Sequence, residues 1–91
     1  MMTDQPRVVA AFAYAEKWHR DQVRKGAEDD GVEIPYMAHI LGVTSLVMSA
    51  GGDEDEVIAA LLHDVPEDHG GRPRLDEIRA QFGDRVAAIV E

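Results

Sequence analysis

Cysteine is absent from this 91-residue chain, so neither a thiol nucleophile nor a thiolate zinc site is available to it. Serine is nearly absent too. Ser45 and Ser49 are the only two; no nucleophile-elbow glycines surround them, and both read as helix-packing residues. No apolar run reaches the length of a membrane-spanning helix, and the start Met1-Met2-Thr3-Asp4 lacks the basic-then-apolar order of a secretory signal, so a soluble cytoplasmic protein is expected. Positive charge is scarce: nine Lys and Arg stand against eighteen Asp and Glu, a net charge of −9. That balance excludes a general surface for nucleic-acid polymers or anionic membranes, whose phosphates need a basic footprint. There is no internal repeat, no heptad series and no strand-like alternation of useful length.

What is present is one domain's worth of helical pattern, with 45% hydrophobic residues, enough for a single core. Pro6 marks the first turn of a helix whose Val8, Val9, Ala11, Phe12, Ala15 and Trp18 suit a buried stripe down to about Val23. A second helix is expected from about Tyr36 to Ser49, ended by Gly51-Gly52. A third starts at Asp53, a fourth runs from about Leu75 to Phe82 and stops at Gly83, and Asp84 can cap a short terminal helix. Only helices are expected, about five in all. The charge is uneven: residues 1–25 hold five Lys and Arg against three Asp and Glu, and residues 26–91 hold four against fifteen. Arg20, Arg24 and Lys25 at the end of the first helix therefore offer either a phosphate-attracting patch or simple compensation of the helix dipole.

Chemistry is concentrated in Leu61-Leu62-His63-Asp64-Val65-Pro66-Glu67-Asp68-His69. The apolar run before it reads as a helix with Asp53 as N-cap, Glu56 completing a capping box, and Val57, Ile58, Leu61, Leu62 and Val65 on one stripe. At about 100° per residue, His63, Asp64 and Glu67 project together beside that stripe. Carboxylates in a last turn face the negative end of the helix dipole, which costs roughly 0.3–1 kcal/mol each unless a cation compensates. A divalent metal would compensate. His39 lies early in the second helix, and two neutral imidazoles with a carboxylate form a partial coordination set for manganese, iron or zinc.

These residues sit in blocks that resemble a known family, the HD-domain phosphohydrolases, and within them the RelA/SpoT-type hydrolase domain that removes pyrophosphate from guanosine tetraphosphate (ppGpp). His19-Arg20-Asp21-Gln22-Val23-Arg24-Lys25-Gly26 is similar to that family's first-helix ending, Pro35-Tyr36-Met37-Ala38-His39 to its Pro-Tyr-x-x-His, and Ala59-Ala60-Leu61-Leu62-His63-Asp64 to its signature. Glu67-Asp68 falls where the family has its Glu-Asp pair, and Ile78, Phe82-Gly83, Val86-Ala87 and Val90 resemble a later segment. The likeness covers roughly residues 8 to 91. It implies an all-α, HD-type helical bundle, with His39, His63 and Asp64 as ligands of a divalent ion, usually Mn2+. It also implies that Glu67 and Asp68 position or activate water and that Arg24 and Lys25 contact the nucleotide. A bound ion makes hydroxide available near neutral pH and polarises a phosphoryl oxygen, while a nearby carboxylate handles the proton.

The sequence also departs from the family pattern. A fourth ligand, an aspartate on a later helix, would fall beyond Glu91, so the domain is expected to be incomplete at its C-terminal side; nothing in the spacing of His69 or Glu91 favours either as a substitute. His69, followed by Gly70-Gly71, reads as a solvent-exposed loop residue. Pro66 should end or kink the helix near Asp64, push Val65 from helical angles, and leave Glu67 and Asp68 aimed by a turn. Ile40 follows His39 where the family commonly has proline. Residues 26–35 make a longer and more acidic connection than is usual in alarmone hydrolases, which keeps another nucleotide open as substrate. A noncatalytic module that binds metal or nucleotide is the rival reading. Apolar Leu46, Val47, Val86, Ile89 and Val90 are expected to be uncovered in so short a chain, which points to self-association as a two-fold dimer.

Overall fold

The computed structural model describes residues 6–25 and 33–91, with the side chains of Arg24, Lys25 and Glu33 outside the described set. Six helices are found among the described residues: α1 (Pro6–His19), α2 (Tyr36–Ser49), α3 (Glu54–Leu62), α4 (Val65–Asp68), α5 (Arg72–Phe82) and α6 (Asp84–Val90). Between α1 and α2 lie two three-residue strands, β1 (Val23–Lys25) and β2 (Glu33–Pro35). The all-α architecture stands, but the expectation of helices alone does not.

Helix α3 is the hub, packed against α1, α2 and α6. Its start follows from chemistry readable in the sequence: the Asp53 carboxylate accepts from the Glu56 N–H at 2.9 Å, and the Glu56 carboxylate accepts from the Asp53 N–H at 2.8 Å. Two backbone donors that the helix cannot satisfy internally are thereby paired. The bonds to Arg85 and to the Glu56 N–H hold the Asp53 carboxyl below its usual range. Asp53→Ala is expected to lower Tm by about 4–8 °C, the shift a lost cap gives in a domain this small; a thermal melt followed by circular dichroism reads it. Beyond the cap, all of Val57, Ile58, Ala59, Ala60, Leu61 and Leu62 are buried, so the helix is enclosed all round and not along a single stripe. Two alanines let neighbouring helices approach on the side opposite the large residues.

Helix α1 buries a narrower face than its composition suggests. Ala11, Ala15 and His19 are buried, Val8, Tyr14 and Trp18 pack against the core edge, and Val9 and Phe12 are exposed, at 67% and 41%. The buried positions recur every four residues, which leaves Val9 and Phe12 rotated off the contact line. The helix also stops at His19, short of Val23. The Gln22 N–H donates to the His19 carbonyl at 2.9 Å, and the chain turns into an antiparallel ribbon that pairs Val23 with Pro35, Arg24 with Ile34 and Lys25 with Glu33. The Tyr36 N–H then donates to the Gln22 carbonyl at 2.9 Å, tying the start of α2 to the end of α1. The acidic residues at 26–32, like the N-terminal five, lie outside the described residues.

Helix α2 buries only Ile40 and Thr44, whose hydroxyl donates to the Ile40 carbonyl at 2.8 Å. Ser45 and Ser49 are exposed, so their expected packing role is not found. The helix ends as its glycines dictate: Gly51 takes a φ of 86°, and a Cβ on Gly52 would lie 2.6 Å from Val47 Cγ1 and 3.0 Å from the Val47 carbonyl. Only glycine allows α3 to begin so close beneath α2.

After Leu62 the chain turns through His63 and Asp64, as Pro66 requires. Val65 is not driven out of helical structure, however. It opens the one-turn α4 fully buried, with Pro66 in the first turn, where a missing N–H costs nothing. Helix α5 begins at Arg72, earlier than Leu75, because Pro73 serves its first turn in the same way. Helix α6 is capped by Gly83, with Asp84 already inside the helix. Its Val86 is fully buried, which corrects the expectation that it is uncovered, whereas Leu46 and Ile89 are exposed at 71% and 45%.

Candidate metal centre

His39, near the start of α2, and His63-Asp64, in the turn after α3, come together because α2 packs along α3. One donor atom from each of the three lies within 4.8 Å of the others, the one such cluster of histidine and acidic groups among the described residues. The focus is Asp64 Oδ2, 3.2 Å from His63 Nε2 and 3.5 Å from His39 Nε2. All three side chains are partly buried, at 15–34% exposure, open enough for an ion to enter and enclosed enough to hold it.

Tautomer chemistry tests whether the set fits a cation. His63 Nδ1 is 2.7 Å from the Ala60 carbonyl, an oxygen that can only accept, so Nδ1 carries the hydrogen. The Nε2 lone pair of a neutral His63 then faces a carboxylate at 3.2 Å, an arrangement that is repulsive unless something positive lies between them. A histidine held by a backbone carbonyl through one nitrogen and presenting the other is the arrangement that metal ligands commonly adopt. The residues therefore fit a divalent ion.

Asp64 is held from behind. The Tyr36 hydroxyl donates to its Oδ2 at 2.6 Å, and burial, this bond and the charge of Asp64 together push the Tyr36 phenol well above its ordinary range, so it remains a donor. The Tyr36 ring lies 5.4 Å from that of His39 and 4.8 Å from that of His19. Beneath it is a polar cluster: His19 Nδ1 and His69 Nε2 lie 2.8 Å and 2.7 Å from Gln22 Oε1.

Glu67 and Asp68 flank the triad on different sides. Asp68 Oδ2 receives a hydrogen bond from Gln22 Nε2 at 3.3 Å, on the Tyr36 side. Glu67 is exposed and, with His63, Pro66, Gly71, Arg72 and Leu75, lines an open cavity of about 340 Å³, to which Val90 and Glu91 also contribute. A second cleft, of about 260 Å³, runs from His63 between α2, α3 and α6, lined by Val43, Val47, Ala59, Ala60 and Ile89. His63 thus stands at the meeting point of both.

Other expectations fare differently. Arg24 and Lys25 contribute backbone to β1, and their side chains lie outside the described residues. Arg20 is exposed and engaged by Glu16 at 2.7 and 3.1 Å, so its charge serves its own helix. His69 is not the free loop residue its glycines suggest: it packs against Trp18 and His19, and burial, with His19 beside it, lowers its pKa. Tyr36, Gln22 and His69 escaped sequence reasoning as partners of the site. The only signal for the first two is their place inside the Pro-Tyr-x-x-His and first-helix blocks.

The chain is similar to several known proteins. A GTP pyrophosphokinase of Streptomyces antibioticus is 38% identical over 87 residues, spanning 93% of this chain and 9% of that protein. The guanosine-3′,5′-bis(diphosphate) 3′-pyrophosphohydrolase of Aquifex aeolicus is 40% identical over 81 residues, spanning 89% of this chain and 10% of that protein. The Xenopus tropicalis enzyme of the same name is 37% identical over 93 residues, spanning the whole chain and 49% of that protein. A solved structure of a metazoan SpoT orthologue that hydrolyses ppGpp superposes with a TM-score of 0.80 at 31% identity, over 94% of this chain and 46% of that one. The chain therefore spans about half, or much less, of the proteins it resembles. The profile of the HD domain matches residues 11–91, so that the His39, His63 and Asp64 cluster lies wholly within the matched segment and the chain belongs to the HD-domain family.

Proposed function

We propose that the chain is a metal-dependent phosphohydrolase domain that acts on guanosine tetraphosphate and releases pyrophosphate from its 3′ side. The observation that carries this reading is the convergence of His39, His63 and Asp64 around one point, with the His63 Nε2 lone pair turned toward a carboxylate. The three are the proposed ligands, and Mn2+ the proposed ion, within a cytoplasmic protein. When bound, such an ion lowers the pKa of water and polarises a phosphoryl oxygen. The Tyr36 hydroxyl fixes the Asp64 carboxylate, and the Ala60 carbonyl fixes the His63 ring. Glu67 and Asp68 are proposed to position water and take its proton. As the water oxygen bonds to the phosphorus on the ribose 3′ oxygen, the bond between them breaks, and that oxygen leaves with a proton. Arg24 and Lys25, at the foot of the ribbon beside Gln22, are proposed to contact the nucleotide.

The test is a comparison of guanosine tetraphosphate, guanosine triphosphate and deoxynucleoside triphosphates, each with and without Mn2+. Release of pyrophosphate from the first, dependent on the ion, is expected. Turnover of deoxynucleoside triphosphates alone would reject the alarmone and keep the phosphohydrolase; tight nucleotide binding with no turnover would indicate a binding module.

Assembly belongs to the same proposal. Leu41, Leu46 and Met48 of α2 are exposed at 44–71%, and Ile89, exposed at 45%, lines the cleft that leads to His63. A two-fold dimer that covers these apolar residues is the proposed assembly. Light scattering after size exclusion is expected to give twice the chain mass at micromolar protein, and a cooperative monomer with and without Mn2+ would end the dimer proposal.

A further inference from the structure

We infer that Gln22 is a positioning residue for Asp68, its side-chain amide locked by His19 and His69 so that its NH2 group faces the Asp68 carboxylate. The inference rests on the proton-handling role proposed for Asp68 above.

The lock follows from which atoms can donate. Asp68 Oδ2 lies 3.3 Å from one end of the Gln22 amide, and a carboxylate carries no hydrogen, so the end facing it must be the nitrogen. Turned the other way, an amide oxygen would confront a carboxylate with no donor between them. The opposite end is then the oxygen, and it lies 2.8 Å from His19 Nδ1 and 2.7 Å from His69 Nε2. Both ring nitrogens must therefore carry hydrogens and donate to it. The two nitrogens are 3.2 Å apart because they converge on one acceptor.

The surroundings of the two rings agree with these bonds. His19 is 1% exposed, and with its hydrogen on Nδ1 its Nε2 is a lone pair, one of two buried ring nitrogens without a hydrogen-bond partner among the described residues. Burial and the neighbouring His19 also lower the pKa of His69.

The seat of the amide is fixed on the main chain as well. The Gln22 N–H donates to the His19 carbonyl and its carbonyl accepts from the Tyr36 N–H, both at 2.9 Å. Gln22 thus joins the end of α1, the start of α2 and, through Asp68, the one-turn α4. That helix is a single turn in which the Asp68 N–H donates to the Asp64 carbonyl at 3.0 Å, a bond that places the backbone of Asp68 but not its carboxylate. A carboxylate that must meet a water at hydrogen-bond distance needs such an outside tether, because a displacement of about 1 Å is enough to cost on the order of 100-fold in rate.

The experiment uses the whole chain with Mn2+ and guanosine tetraphosphate. Gln22→Ala is expected to lower kcat by about 10- to 100-fold and to leave KM within about 3-fold, since the tether acts on the reacting water and not on substrate binding. Mn2+ affinity should be unchanged. His69→Gln, which returns an N–H donor to the Gln22 oxygen, should keep kcat close to the parent, whereas His69→Ala should not. In the Asp68→Asn background, Gln22→Ala should add nothing further, because its effect runs through that carboxylate.

Two results separate the inference from the reading beneath it. Full activity in Asp68→Asn removes the role of Asp68 and the inference with it. A dead Asp68→Asn beside a fully active Gln22→Ala overturns the inference alone. Nitrogen-15 spectra of the imidazoles decide the matter independently of turnover and without any substitution. The Nδ1–H form of His19 and the Nε2–H form of His69 are expected, and the Nδ1–H form of His69 would mean that the amide faces the other way and that the lock does not exist.

Discussion

His63→Ala will bind Mn2+ at least about 100-fold more weakly than the parent chain, since loss of a partner that only orients a ligand already costs about 10- to 100-fold and His63 is the ligand itself. His39→Ala should match it, and Asp64→Ala should bind weakly and lose hydrolysis altogether. The side chains of His39 and His63 are about one-third exposed, so truncating either leaves the core of α3 intact, and the loss reports on the ion and not on folding. Tyr36→Phe provides the graded comparison: it removes the 2.6 Å bond to Asp64 and keeps the ring, so a loss of about 10- to 100-fold is expected. Protons compete with the ion for each imidazole, so the affinity of the parent falls on acidification. Calorimetry gives the affinities. A second readout is stability: free Mn2+ at 100 times its Kd adds about 2.7 kcal/mol to a protein that binds it only when folded, and the histidine variants should show none of that gain. Parent-like affinity in both histidine variants would show that the ion, if bound, sits elsewhere.

The triad was legible because its members sit in dense, ordered blocks of sequence. Ala59-Ala60-Leu61-Leu62 fixes a buried helix, and a buried helix that ends in His-Asp must present those two residues at its rim. His39 follows Pro35-Tyr36 by a fixed spacing, so the start of α2 was equally readable. What holds the triad was not readable. Tyr36 reaches Asp64 only because the Tyr36 N–H is tied to the Gln22 carbonyl, a contact between α1 and α2 that no local pattern encodes.

The same reason explains the other misreadings. A three-residue strand has too few positions to show alternation, so β1 and β2 were invisible, and helix propensity in Arg20 to Val23 outweighed the turn that the ribbon imposes. His69 followed by two glycines looks like a loop tip, yet Gly71 adopts a φ of 63° that swings the chain into α5 and leaves the imidazole against Trp18 and His19. Val86 looked like uncovered surface because the chain seemed too short to close over it, but packing of α6 against α3 and α5 buries it. Local chemistry such as the Asp53 cap and the end of α3 before Pro66 was thus correctly read, although Val65 keeps helical structure. Contacts between elements distant in sequence were not.

Glu67→Gln and Asp68→Asn are each expected to lower kcat by about 10²- to 10⁴-fold while leaving Mn2+ affinity within about 10-fold of the parent, the signature of a lost acid or base outside the ligand set. The isosteric amides keep shape and remove the charge and the basic oxygen, so the effect is chemical and not one of packing. The structure distinguishes the two. Asp68 is tethered by Gln22 and its charge reaches Tyr36, whose phenol it helps to push upward, so Asp68→Asn should also disturb the hydrogen bonding around Tyr36. Glu67 is exposed and shares the 340 Å³ cavity with His63 and Arg72. It is free to meet a water or a substrate oxygen there, and Glu67→Gln should leave Tyr36 untouched. Steady-state kinetics with guanosine tetraphosphate, the hydroxyl and ring resonances of Tyr36, and Mn2+ calorimetry on the same samples resolve the pair. Parent kcat in either variant removes that residue from the proton-handling role, and a collapse of Mn2+ affinity in either would place its carboxylate among the ligands instead.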